Sequence, residues 1–235
     1  MIMSQKLFIL FLFFLPLATL AYQPRLTVNQ NYLEILKPET SQAFYGELKG
    51  QSAVYKIKST TSFRLYLGLL VPALDNADQD FSARVYVKDE LSNWQMIYFL
   101  DGLKMSWLKF YEGFTNDDYL RGPELKSEEA LSDKLRGVEM AAGIYTIEVF
   151  SPDNLGRYVL VVGDQEELSV QEAIGALSIL PAIKKDFFNK SPFSALFTWL
   201  AFYLLLLALA VLLPIMAIII LIFTIRKKRY LQNNL

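Results

Sequence analysis

Neither histidine nor cysteine occurs among the 235 residues. Their absence excludes Ser-His-Asp and Cys-His catalysis, haem held by imidazole or thiolate, tetrahedral zinc sites and disulfide staples. The chemistry that remains belongs to carboxylates, hydroxyls, Lys, Arg and hard cations bound through oxygen. No charge of one sign dominates either. The 23 basic side chains meet 24 acidic ones for a formal net charge of −1, without the basic excess that nucleic-acid binding requires. Low-complexity tracts and internal repeats are also missing. What is abundant is apolar surface. At 53% hydrophobic residues the chain carries more than a freely soluble domain of this length needs, so part of it is expected to face lipid.

Two long apolar runs account for the excess. Lys6 precedes an uninterrupted run from Leu7 to Leu17, and Ala18-Thr19-Leu20-Ala21 then leads into the polar Tyr22-Gln23-Pro24-Arg25. This is the layout of a signal peptide, residues 1–21, with cleavage expected after Ala21. An uncleaved anchor is the alternative, but the apolar stretch falls short of the ~20 residues that cross a bilayer core. The second run has no charged side chain from Ser191 to Ile225 and is expected to be a transmembrane helix over residues 191–225. Phe193, Phe197, Trp199, Phe202 and Tyr203 crowd its front, where rings suit the headgroup level, and Leu204 to Ile225 is aliphatic. Ser191-Pro192 reads as its cap and first turn, and Pro214 as a kink within it.

Arg226-Lys227-Lys228-Arg229 follows at once, and the positive-inside rule places this tail, residues 226–235, in the cytoplasm. Residues 22–190 then lie outside. That portion holds 18 of the basic and all 24 acidic residues, a net charge of −6 that suits solubility rather than attachment to an anionic surface.

Between residues 43 and 163 the pattern is that of short strands separated by turn chemistry, eight or more, as expected for an antiparallel β-sandwich or jelly-roll domain over residues 22–167. Residues 53–58 and 63–67 read as neighbouring strands across Ser59-Thr60-Thr61-Ser62, each alternating inward and outward residues, and residues 81–87 and 94–99 continue the style. Residues 143–150 and 157–162, joined by Ser151-Pro152-Asp153-Asn154-Leu155-Gly156, read as the clearest hairpin. Glu124 to Met140 is charged and aperiodic, as in an exposed insertion. Ser169-Val170-Gln171-Glu172 matches a capping box, and Ala173, Ile174, Leu177 and Leu180 recur at helical spacing until Pro181. Residues 168–190 are therefore expected to be a helical connector resting at the membrane interface.

The segment Gly143-Ile144-Tyr145-Thr146-Ile147-Glu148-Val149 and its continuation through Arg157-Tyr158-Val159-Leu160-Val161-Val162-Gly163 resemble the C-terminal half of bacterial pre-peptidase C-terminal-type β-sandwich domains. The resemblance implies a non-catalytic accessory fold that binds calcium, polysaccharide or protein. Trp107 to Pro123, with Phe110-Tyr111-Glu112-Gly113-Phe114 and Tyr119-Leu120-Arg121-Gly122-Pro123, is also similar to a family of membrane-anchored microbial proteins, a likeness that brings no activity with it.

Three local features carry chemistry. Asp75, Asp78 and Asp80, in Asp75-Asn76-Ala77-Asp78-Gln79-Asp80, give hard oxygen ligands before a strand and make calcium the candidate cofactor, with Asn116-Asp117-Asp118 as further donors. The glycine and final glutamate of an EF-hand are missing, and a solvated acidic turn is the alternative. Trp107, Tyr111 and Tyr119, among the aromatics between Trp94 and Tyr119, form a candidate face for stacking a cell-surface polysaccharide, with core packing as the other use of such rings. Glu112 with Asp117 or Asp118 forms a possible glycosidase pair, whose separation only a cleft would show. Together these features favour a membrane-anchored binding or interaction protein without catalysis. A structural subunit beside another membrane protein, or a carboxylate glycosidase, are the alternatives.

Overall fold

The computed structural model describes residues 23–28, 30–113, 115–128, 136–167 and 170–232. The expected signal peptide and the Ser169 cap lie outside the described residues. Among the described residues thirteen strands are formed: β1 (Gln23–Leu26), β2 (Tyr32–Ile35), β3 (Gln42–Lys49), β4 (Ala53–Ser59), β5 (Phe63–Leu65), β6 (Leu67–Pro72), β7 (Ser82–Lys88), β8 (Trp94–Leu100), β9 (Leu108–Glu112), β10 (Asp117–Leu125), β11 (Val138–Met140), β12 (Gly143–Phe150) and β13 (Leu155–Val162). A six-stranded sheet, β1-β3-β13-β6-β10-β9, packs face to face on a five-stranded sheet, β2-β4-β12-β7-β8, and β5 pairs with β11 beside them. The domain is a β-sandwich. Helix α1 (Val170–Phe188), a 3₁₀ turn (Pro192–Phe197) and helix α2 (Trp199–Gln232) follow.

Side-chain alternation explains the two sheets. In the five-stranded sheet Ala53, Tyr55 and Ile57 of β4, Ala83 and Val85 of β7, and Tyr145, Ile147 and Val149 of β12 point inward, and the residues between them stay half-exposed. In the other sheet β6 and the end of β13 read as continuous apolar runs, and both faces are buried. Tyr158, Leu160 and Val162 enter the core between the sheets, whereas Val159 and Val161 lie under α1. A strand covered on both sides needs no polar face.

Five expectations are corrected here. Residues 143–150 and 157–162 do not pair. Strand β12 lies between β4 and β7, and β13 lies between β3 and β6, so the link crosses from one sheet to the other. Alternation looks the same whether two strands lie side by side or face each other; here Tyr55 and Tyr158 meet across the core, hydroxyl to hydroxyl, at 2.8 Å. The chain turns through Asn154 at φ 53° and Gly156 at φ 101°, a conformation that favours glycine. Residues 53–58 and 63–67 likewise enter different sheets, and β1 with β3 and β2 with β4 pair in parallel rather than antiparallel. The charged insertion is shorter than Glu124 to Met140, because β10 runs to a buried Leu125 and β11 starts at Val138; residues 129–135 lie outside the described residues.

The fifth concerns the connector. Helix α1 passes through Pro181 to Phe188 because its apolar spacing continues, and Leu180, Ile183 and Phe187 are fully buried with Ala173 and Ala176. Burial outweighs the ~3 kcal/mol that an internal proline costs. This helix covers the outer face of the six-stranded sheet, packing on Ala43, Tyr45, Leu70, Val159 and Val161, rather than resting at the membrane interface.

Ser191-Pro192 opens the 3₁₀ turn, not α2. Thr198 is the residue that caps α2, accepting from the Ala201 N–H at 3.3 Å. From Ala201 to Tyr230 α2 is long and apolar enough to cross a membrane.

Candidate interaction surface

The structure separates the three rings expected to stack on a glycan. Trp107 is buried, its indole N–H donating to the Gly102 carbonyl at 3.0 Å. Gly122 makes room for it, since a Cβ there would lie 2.4 Å from the ring. Tyr119 is buried under α1, edge-on to Phe188 with ring centroids 5.0 Å apart. Only Tyr111, 55% exposed, faces solvent, its hydroxyl donating to Asn116. Trp107 and Tyr119 are core residues and cannot form an open platform with it.

Asp75 and Asp78 are exposed, and Asp80 is half-buried with Oδ1 enclosed and without a partner among the described residues. Burial raises the Asp80 pKa above the usual carboxylate value, and the charges of Asp78 and Asp153 add to the rise. Asp153, from the inter-sheet link, is the neighbour that sequence spacing missed. Its own pKa is lowered by the Leu155 N–H and the Ser151 hydroxyl. The suggested extra donors are engaged elsewhere: Asp118 pairs with Lys109 at 2.9 Å, and Asp117 lies under α1. Among the described residues no group of three or more carboxylates is gathered tightly enough to hold a metal ion.

Asp117 anchors an unexpected site. Its side chain is fully buried and accepts from Lys184 and Lys190, each at 2.7 Å. Lys184, on the buried face of α1, is 1% exposed and also donates to the Thr115 carbonyl; Lys190 reaches in from beyond the helix and is half-exposed. Asn189, at φ 52°, makes the turn that brings Lys190 back, and the Lys190 N–H donates to the Lys184 carbonyl at 2.9 Å. Beside this bracket Glu112 accepts from the Thr115 N–H at 2.7 Å and its hydroxyl at 2.9 Å, and Tyr45 meets Tyr119 at 2.6 Å. Burial lowers the Lys184 pKa against the opposing pull of Asp117, and burial raises those of Tyr45 and Tyr119. Glu112 and Asp117 are thus enclosed and occupied, and neither is presented to a glycosidic bond.

Open apolar surface lies on the opposite side of the sandwich. Trp94, Met96 and Phe99 of β8 are 48%, 51% and 48% exposed. Strict alternation would put Phe99 on the face opposite the other two. A bulge prevents this: Val85 pairs with Tyr98 but Tyr86 pairs with Met96, so the extra residue, Ile97, shifts the phase. Phe99, Met96 and Trp94 then stand opposite the outward Arg84, Tyr86 and Lys88 of β7. Arg84 lies over the ring of Phe150 at 4.0 Å and within 6.0 Å of that of Phe99, and pairs with Glu148 at 3.4 Å. Sequence alone points to aromatic density here, but not to the bulge that gathers it.

The molecule is therefore a β-sandwich joined to a helix of membrane-spanning length. The chain is similar to the pre-peptidase C-terminal domain of a collagenase from Bacillus anthracis, the sandwich type that residues 143–163 resemble. Identity is 10%, 58% of this chain and 96% of that one are covered, and the TM-score is 0.32. It also overlaps CorA, a surface-associated copper-binding protein of Methylomicrobium album BG8, at 13% identity over 60% of this chain and 83% of that one, with a TM-score of 0.18. Overlaps this loose give neither ligand nor activity. No protein-family model and no curated protein matches the chain.

Proposed function

We propose that the chain is a single-span membrane protein that holds its sandwich outside the cytoplasm and binds another membrane or surface protein, without catalysis, through the outer face of the five-stranded sheet. The observation that carries this is the row of Trp94, Met96 and Phe99, three half-exposed apolar side chains that the β8 bulge places on one face. Aromatic residues, Met and Arg are enriched where proteins meet, and Arg84 with Phe150 extends the row in that chemistry. A polysaccharide is the less favoured ligand, since Tyr111 has lost its two stacking partners to the core. The orientation follows from the four tail cations, which the positive-inside rule keeps in the cytoplasm.

The test is photo-crosslinking from position 96 in native membranes, followed by co-purification in mild detergent. A discrete adduct that a Trp94→Ser, Phe99→Ser variant, still carrying the crosslinker at 96, no longer forms supports the reading. Adducts unchanged in that variant, or retention on a glycan array abolished by Tyr111→Ala, would sink it.

A further inference from the structure

Among the described residues the route from sandwich to α2 contains no free linker. Helix α1 starts at the end of the six-stranded sheet marked by Gln42 and Val162, where Gln23 donates to the Glu167 carbonyl. It ends at the opposite end, where Asp117 begins β10 and Lys184 and Lys190 close on it. The left-handed Asn189 then leads into eight uncharged residues, 191–198. Within them Ala195 and Thr198 are buried against the helix-covered core, and Leu204, in the second turn of α2, packs on the same cluster. On the other side of the 3₁₀ turn Phe193, Leu196 and Phe197 are 75%, 64% and 80% exposed, and the half-exposed Trp199 opens α2. The fold thus leaves three large apolar side chains uncovered one step before a helix whose own surface is apolar all round.

We propose that this turn is a foot in the lipid interface. Phe193, Leu196 and Phe197 enter the boundary between headgroups and acyl chains, and the Asp117 bracket makes the foot rigid with the sandwich. The inference rests on the membrane reading of α2. The occupant is the bilayer itself because the exposed patch is continuous with the lipid-facing surface of α2, and because rings belong at that depth. The register fixes which end of the domain looks down. Asp117 pairs with Glu112 and Tyr119 with Pro72, so the turn between β9 and β10 and the connection after β6 lie at the lipid end, with the β12–β13 link beside them. Strand β7 starts at that end, with Ser82 opposite Phe150, and runs away from it, so Leu91, in the turn after β7 and 84% exposed, points away from the membrane. The apolar row on β8 then stands along the side of the domain, open to a neighbour in the same membrane.

The chain has no cysteine, so single cysteine spin labels on the full chain report without background. In phosphatidylcholine nanodiscs, accessibility to oxygen and to a water-soluble nickel chelate would be measured at positions 91, 155, 193, 197 and 212. Position 212 should lie deep in the bilayer. Positions 193 and 197 should lie about 5–10 Å into the interface, with nickel collision several-fold below that at 91. Position 155, exposed at the lipid end, should be shielded relative to 91 and lose that shielding in a Phe193→Ser, Phe197→Ser variant. If 193 and 197 match 91 while 212 is deep, the foot is wrong and the membrane reading stands. If 212 is itself water-accessible, both fall. Shielding at 155 that survives the double variant would also overturn the foot.

Discussion

The two outer faces of the sandwich are built from different strands, continuous apolar runs in the six-stranded sheet and alternating ones in the five-stranded sheet, and they end differently. The six-stranded sheet turns Ala43, Tyr45, Leu70, Val159 and Val161 outward, and α1 covers them. The five-stranded sheet turns Trp94, Met96 and Phe99 outward, and no described element covers them. The first face is fastened at one end by a buried charge bracket. The second carries a cation held over rings at the surface. An apolar face that the chain closes for itself is structure; one that it leaves half open is a surface offered to something else.

The largest expected effect comes from breaking the closure. Asp117→Asn leaves the Lys184 ammonium buried without a counter-charge, and should cost about 3–5 kcal/mol in denaturant unfolding of the full chain in detergent. Pairing Asp117→Leu with Lys184→Met should recover much of that loss, since burial of a charge, not its attraction, is then removed. Lys190→Gln, at a half-exposed position, should cost no more than about 1 kcal/mol. Equal losses at Lys184 and Lys190 would contradict the bracket.

Alkaline pH tests the helix-covered face together with the core between the sheets, and more gradually. Burial raises the pKa of Tyr45, Tyr119, Tyr55 and Tyr158, so above about pH 10 the unfolded chain loses tyrosine protons that the folded chain keeps. Stability should fall there by as much as about 5 kcal/mol per pH unit, at ~1.36 kcal/mol for each of four protons. Lys184 acts with the opposite sign: its folded pKa is lowered, so stability rises with pH from that value up to about 10.4. A shallow rise followed by a steep fall is expected. Tyr45→Phe with Tyr119→Phe should flatten the fall by about half.

The open face should be nearly neutral to stability. Serine at Trp94 and Phe99 together should shift unfolding by no more than about 1 kcal/mol while abolishing the partner adduct formed from position 96, as exposed positions do. A loss comparable to that of Asp117→Asn would show that the face is part of the core.

The smallest effect is expected at the acidic loop. Because the Asp80 pKa is raised, its charge works against folding above that value, and Asp80→Asn should be slightly more stable at neutral pH, with the advantage gone below about pH 4. Calcium held by Asp75, Asp78 and Asp80 would stabilise the wild type and not the variant. Melting that is identical in millimolar calcium and in chelator removes the metal.

Much of the architecture was legible from period alone. The alternating strands β4, β7 and β12, and the charge-free run that became α2, follow directly from residue spacing. The continuous apolar runs of β6 and of the end of β13 have no period, and only the structure shows that both their faces are buried. Pairing was not legible, because Tyr145-Thr146-Ile147 and Tyr158-Val159-Leu160 alternate or run apolar regardless of which sheet they join. The site was less legible still. Lys184 reads as a flanking surface cation until α1 is seen to continue past Pro181, and the row on β8 exists only because Ile97 is bulged out of phase. Trp107 and Tyr119 have the composition of a binding surface and the burial of a core.

The contrast between a closed and an open face can be read in one measurement. On the purified full chain in detergent, which has no cysteine of its own, thiol modification rates would be compared for Met96→Cys and Ala176→Cys. Position 176 faces the six-stranded sheet and is 4% exposed. The cysteine at 96 should react as an exposed thiol and that at 176 at least about tenfold more slowly, because it must wait for α1 to lift. Equal rates at the two positions would mean that α1 does not close its face, and would contradict the account.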